Sequence, residues 1–329
     1  MRTVPLIAAA LLLAASPLVA QESKTAAKLP VTSDITKEQE ARAKAAFADF
    51  DARVMAGFKG DEKLVAAMQA DLKIIDTQKD PKARSAAIAA YQKKYAEPYK
   101  TAMKKGGADL NGLAATLSQI FKGQTFKVVN GTHLVAVTDS GETPPAPPMP
   151  PAKQTINLVS NDFAFQGDTD CGGVRDSDAS YGNFRLTTRT WAGLVGGCKE
   201  TGTIAYGFNG LEGLSPTARV KFDLTADASA IALTGAAWSR TSTSLTLRSG
   251  NTLAVSRSLT VDVAAAILWA AEDDGILQNA VMTLTSGTGK RMDVLSSSIS
   301  RANAIGSVVT GTEASSSLKI HEASIVANP

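Results

Sequence analysis

Six of the chain's 13 prolines fall within eight residues, Pro144-Pro145-Ala146-Pro147-Pro148-Met149-Pro150-Pro151, and the sequence changes character across them. So dense a run suits neither a helix interior nor a central strand, because each ring fixes φ and removes an amide donor. Before it the chain is rich in Ala and Lys with helical periodicity; after it come short alternating segments of Ser, Thr, Val and Leu punctuated by Gly. Those segments read as strands. The run therefore predicts a linker at 139–153 between two domains: a four-helix bundle with a β-hairpin at 35–138 and an antiparallel β-sandwich at 154–329. In polyproline II geometry the eight residues form a semi-rigid strut of about 25 Å.

Thr36 with Gln39 three residues on forms a capping box, and Phe47, Phe50, Val54 and Phe58 follow at helical spacing, predicting a first helix from Lys37 to Phe58. Asp61 caps a second, striped by Leu64, Met68, Leu72 and Ile75 and ending near Lys79. Asp80-Pro81 opens a third, with Ile88, Tyr91, Tyr95, Tyr99 and Met103 along one face and Pro98 as a kink; Asp109 opens a fourth after Gly106-Gly107. The tyrosine stripe predicts core packing ahead of ligand stacking. Asn130-Gly131 between two β-prone runs predicts a hairpin on a two-residue turn.

Beyond the prolines, strands are predicted at Thr155–Val159, Asn183–Thr188, Gly202–Tyr206, the alternating runs around Val220–Leu224, Ile231–Leu233, Leu245–Leu247 and Leu259–Val263, and then Ala280–Thr285, Arg291–Leu295, Ile305–Thr310 and Leu318–Ile320. Turns fall at Ser249-Gly250-Asn251 and Ser286–Gly289. Many short strands with regular turns predict a sandwich of jelly-roll type. Val263–Ala271 is ambiguous and suits a short helix capping the sandwich. Leu318–Val326 resembles the closing strand of carbohydrate-binding jelly-roll modules, over that strand alone.

A basic Arg2, an apolar stretch from Val4 to Ala15 and small residues before Gln21 make residues 1–20 a secretory signal peptide, followed by a flexible mature N-terminus at 21–34. The stretch is too short for a membrane span, and no transmembrane segment is expected in the mature protein. Export to a periplasm or the extracellular space gives the two cysteines, Cys171 and Cys198, a reason to join as a disulfide. A net charge of +3 is no basis for nucleic-acid binding. With two histidines, His133 and His321, and no G-x-S-x-G or Walker-type glycine loop, the familiar zinc, triad and nucleotide motifs are absent.

What remains is a polar region around the cysteines. Asp168, Asp170, Asp176 and Asp178, read as one Gly-rich loop, supply oxygen ligands of the kind Ca²⁺ takes in sets of six to eight. Trp191, between Arg189 and a glycine-rich segment, is the tryptophan best placed to be exposed, and with Tyr181 it offers aromatic surface for a sugar ring. Three readings stay open: a non-catalytic exported binding or adhesion protein whose sandwich recognises a glycan or surface ligand through 168–191; a structural or assembly protein of the envelope acting on another envelope protein through its helices; and a polysaccharide hydrolase using paired carboxylates, for which Glu272-Asp273-Asp274-Gly275 reads only as a solvated turn.

Overall fold

The computed structural model describes residues 36–78, 80–140, 154–172, 174–193, 196–209, 215–250, 253–305 and 310–328. The expected signal peptide, mature N-terminus and proline run lie outside them. Four helices come first: α1 (Lys37–Gly57), α2 (Glu62–Asp76), α3 (Pro81–Gly106) and α4 (Leu110–Ile120). Three of the four expected caps, Thr36, Asp80 and Asp109, accept the amide bonds their chemistry requires, whereas Asp61, expected to cap α2, makes no side-chain cap bond. Thr36 Oγ1 accepts from the Gln39 amide at 3.1 Å while Gln39 Oε1 accepts from the Thr36 amide at 2.9 Å. Asp80 caps α3, which runs on through Pro98 to a left-handed Gly107.

The strands are β1 (Lys127–Val129), β2 (His133–Ser140), β3 (Gln154–Asn157), β4 (Ala164–Cys171), β5 (Val174–Gly182), β6 (Arg185–Gly193), β7 (Gly196–Phe208), β8 (Ser215–Ala232), β9 (Ala236–Ser249), β10 (Leu253–Ala265), β11 (Trp269–Thr285), β12 (Met292–Ile305) and β13 (Thr310–Asn328). They form an antiparallel sandwich. One sheet runs β1-β2-β10-β9-β12-β7-β4, the other β11-β8-β13-β6-β5, with β3 added alongside the C-terminal part of β13. From β6 to β13 the chain crosses between the sheets at every step except the β9–β10 hairpin. Interior positions recur every second residue, as Leu224, Ala226, Ala228 and Ala230 do on β8, all buried. Threonine and serine share that interior: Thr188 Oγ1 lies within 2.8–3.3 Å of the Ser298, Ser300 and Ser316 hydroxyls, so each buried hydroxyl of this group has a partner.

The proline run does not separate two cores. β2, which precedes it, pairs with β10 over Ser140–Leu134 and so belongs to the first sheet. The helices pack on the sandwich, and every described residue falls in one compact unit. The reason is the tyrosine stripe. Tyr91 and Tyr99 donate to the Leu268 and Ile267 carbonyls at 2.8 and 3.1 Å, and both rings contact Trp269, with centroids 5.7 and 4.6 Å away. On the first sheet Phe121, at the end of α4, stacks on Trp238 at 5.2 Å. A strut holding these parts apart would expose both tryptophans.

Three local expectations are also corrected. Val263–Ala271 is not a helix: β10 continues to Ala265, a turn with Leu268 at φ 59° follows, and β11 begins at Trp269. The alanines there are all buried. The hairpin loop is three residues, since Val129 pairs with His133. Glu272-Asp273-Asp274-Gly275 is strand, not turn, paired residue by residue with β8.

Asp51 of α1 accepts from the Ile267 amide at 2.9 Å, and burial pushes its carboxyl up to about 7 against the lowering effect of that hydrogen bond. A folded value above the exposed aspartate range favours the protonated form. The protein is therefore stabilised while Asp51 is neutral and loses that contribution as pH rises from about 4 through 7, on the order of 3 kcal/mol. Buried His133, lowered to about 4, acts in the opposite sense below pH 6.5, so the readout is the difference between proteins. Urea unfolding across pH 4–8 should show wild type losing stability relative to Asp51→Asn as pH rises. Equal slopes would contradict this. A fragment beginning at 154 lacks β2 and the helices and re-exposes Trp238 and Trp269, at about 2 kcal/mol or more each; size-exclusion and near-UV circular dichroism should show aggregation or loss of fixed tertiary structure.

Candidate functional site

The predicted site residues do not share a loop. Asp168 and Asp170 lie on β4, paired with Thr201 and Lys199 of β7, whereas Asp176 and Asp178 lie on β5, paired with Trp191 and Arg189 of β6. The chain passes from one sheet to the other at Cys171–Val174. Asp168 and Asp170 consequently face out from the first sheet and Asp178 from the second, on opposite sides of the sandwich. Among the described residues no three acidic, histidine or cysteine side chains come together as a metal site. The Asp-rich Ca²⁺ loop is thus replaced by two exposed strand edges.

Tyr181 parts from Arg189 for reasons of parity. On β5 the odd positions point inward, and Tyr181 sits in an aromatic group with Phe163 and Phe165, its hydroxyl donating to the Ser160 carbonyl at 3.0 Å. Burial raises its phenol. It is a structural tie between the sheet edges; Phe165 beside it remains 42% exposed. Cys171 and Cys198 are bonded to each other and occupy paired positions on β4 and β7, clipping the edge strand to its neighbour.

Arg189 and Asp178 remain together, on the outer face of the second sheet, in company the strand register defines. One row across this face is Asp274 (β11), Asp227 (β8), Ser315 (β13), Arg189 (β6) and Asp178 (β5). The next is Glu272, Ser229, Glu313, Trp191 and Asp176, the side chains of the last two lying outside the described residues. A third carries Ile276, 58% exposed, then Thr225 and Ser317, whose hydroxyls are 2.7 Å apart, and Thr187 and Ser180, 2.8 Å apart. Five strands at about 4.8 Å spacing make a face about 19 Å across.

No family model and no curated protein matches this chain. Among solved structures it is similar to the carbohydrate-binding module TmCBM61, determined in complex with β-1,4-galactotriose, at 10% identity over 50% of this chain and 90% of that one, with a TM-score of 0.19. A likeness that low transfers neither fold detail nor ligand, and the face has to be read from its own groups.

Charge on the face is arranged, not merely dense. Glu313 is ion-paired through both oxygens, Oε1 to Arg189 Nε at 2.7 Å and Oε2 to Arg84 of α3. Ser85 donates to Glu272 at 2.6 Å, so the first turn of α3 walls one end of the face. Asp227 and Asp274 stand at paired positions in the open part. Partial desolvation of its carboxyl, then the charges of Asp274, Glu313 and Glu272, hold Asp227 above the usual carboxylate range, while Ser315 donating at 3.4 Å pulls the other way. Sequence reasoning passed over Asp227, Glu313 and Arg84. The alternation Asp223-x-Thr225-x-Asp227-x-Ser229 and its counterpart Glu313-x-Ser315-x-Ser317-x-Lys319 marks one polar sheet face, but only strand order sets the two beside each other.

The described helices include none long and apolar enough to cross a membrane. Reducing the Cys171–Cys198 bridge, which closes a separation of 27 residues, should lower stability by about 3 to 4 kcal/mol through chain entropy. The measurement is urea unfolding with and without a thiol reductant.

Proposed function

We propose that this is an exported, non-catalytic binding protein whose jelly-roll sandwich recognises a glycan on the outer face of its second sheet. The observation that carries the reading is the exposed Arg189 held by Glu313 in a row with Asp178, Ser315, Asp227 and Asp274. Sugar hydroxyls both donate and accept; carboxylates accept hydrogen bonds from them, a guanidinium donates hydrogen bonds to them, and such charge-assisted bonds are about twice as strong as neutral ones. Ile276 on the same face supplies apolar contact for ring faces. A flat face about 19 Å wide accommodates several rings of a chain, unlike the closed pocket a monosaccharide needs. The successive sheet crossings from β6 to β13, with β10-β9-β12-β7 facing β11-β8-β13-β6, support the jelly-roll assignment. Export rests on the leader sequence and agrees with the disulfide.

A second reading, hydrolysis of a polysaccharide, is favoured by one feature: Asp227, held in its protonated form to higher pH than an ordinary aspartate, sits opposite Asp274 on the neighbouring strand. An assembly role for the helices is less favoured, because their aromatic stripe is already buried against Trp269.

Depletion assays of the full mature chain on cellulose, chitin, chitosan, β-1,4-galactan and peptidoglycan test the proposal. Saturable binding to one of them is expected, with Trp191→Ala and Arg189→Ala each weakening it about tenfold or more. Binding unchanged in both variants would move the site off this face. Release of reducing ends that Asp227→Asn abolishes would favour hydrolysis.

A further inference from the structure

Arg189 is held in place from behind by a chain of charges that leads to α3, whose meaning rests on the reading of this face as the ligand surface. Arg84 lies at the start of α3 with its side chain 7% exposed, and Glu313, which it pairs with, is 14% exposed. Arg189 on the other side of Glu313 is 53% exposed. The three therefore run from interior to solvent: a buried cation, a half-hidden carboxylate, a presented cation. Arg84 Nη2 also donates to the Asp76 carbonyl at the end of α2, at 3.3 Å, so one guanidinium joins the α2–α3 junction to β13. With Arg84 on Oε2, the carboxylate has a fixed orientation and offers Oε1 to Arg189. A long exposed arginine otherwise samples many rotamers, and fixing it beforehand lowers the entropy a ligand must remove.

We propose that Arg84 is a positioning residue for the sheet-face site: through Glu313 it holds Arg189 in the geometry that meets the ligand, making the helical layer part of the binding apparatus although no helix residue need touch the sugar. Removing Arg84 leaves Oε2 without its cation, and Glu313 turns toward water and releases Arg189. Replacement by lysine keeps a charge for Glu313 but not the rigid fork that also reaches Asp76, so an intermediate effect follows.

The test uses the full mature chain and two readouts. The first needs no ligand: hydrogen exchange of the Arg189 Nε–H by nitrogen-detected NMR. The second is calorimetric titration with cellohexaose, chitosan hexaose and β-1,4-galactohexaose as probes. In Arg84→Met the Nε–H should exchange about tenfold faster, as it should in Glu313→Gln, and affinity for whichever probe wild type binds should fall about tenfold. Arg84→Lys should fall between and covers the case in which Arg84→Met does not fold. A variant that unfolds cooperatively and keeps both wild-type exchange and wild-type affinity overturns the inference while leaving the site reading intact. If wild type binds none of the three probes, the reading of the face fails for them and the exchange rate alone decides the relay.

Discussion

The structure depends on the clamp that α1 and α3 place on the turn between β10 and β11. That turn must cross from one sheet to the other, and in doing so it turns backbone donors and acceptors away from any ladder. Such groups buried without partners cost a few kcal/mol each. Here the Ile267 amide is taken by Asp51, and the Ile267 and Leu268 carbonyls by Tyr99 and Tyr91. Water is excluded by Trp269 and the tyrosine rings. Helices and sandwich supply one another's missing hydrogen bonds at this point, which is why they form one body. The electrostatic cost is a carboxyl held in a place that disfavours its charge, with the pH sensitivity that follows.

A buried ion pair does comparable work on the first sheet. Arg240 and Asp262, paired across β9 and β10 at 2.6 Å, lie under Phe121, with the Arg240 guanidinium 5.3 Å from that ring and the Trp238 indole donating to the same Asp262 oxygen at 3.1 Å. Burial opposes ionisation of Asp262, and Arg240 opposes burial's effect. A pair of this kind contributes little net stability, but breaking it by removing one partner is costly. It ties α4 to the sheet at a defined register. The helical layer is thus keyed to both sheets through polar contacts that tolerate one arrangement, while the apolar stripes supply the area.

Much of this was legible in the residues. The four helices follow from the apolar spacing and from the caps Thr36, Asp80 and Asp109, because these signals act within one or two turns of chain. The sandwich followed from alternation. Long-range pairing was not legible. Nothing in the alternation of β2 says that its partner is β10, more than a hundred residues on, and a proline run between the two suggested the opposite. The candidate site shows the same limit. Arg189 and Asp178 belong to one hairpin, so local reading found them; Asp227, Asp274 and Glu313 reach the same face from three other strands. Tyr181, only three residues from Asp178, was assigned to the wrong side because one step of odd parity reverses a side chain.

The placement of α3 bears on how a flat sheet face could become selective. An isolated antiparallel sheet with a polar outer surface offers much the same row of groups to any extended partner, and its surface ion pairs are weak and mobile. A helix set across one end changes both properties. Ser85 and Arg84 take up Glu272 and Glu313 at that end, leaving Asp227, Asp274 and Asp178 as the exposed acids and Arg189 as a cation with a fixed partner. The face then has an end and an order: two carboxylates on β11 and β8, a held guanidinium on β6 and a third carboxylate beyond it on β5. A polymer chain lying across it would meet those groups in order. Reversing the chain would put hydroxyls where the guanidinium and carboxylates no longer match them, and mismatch of buried or half-buried polar groups costs more than a match gains.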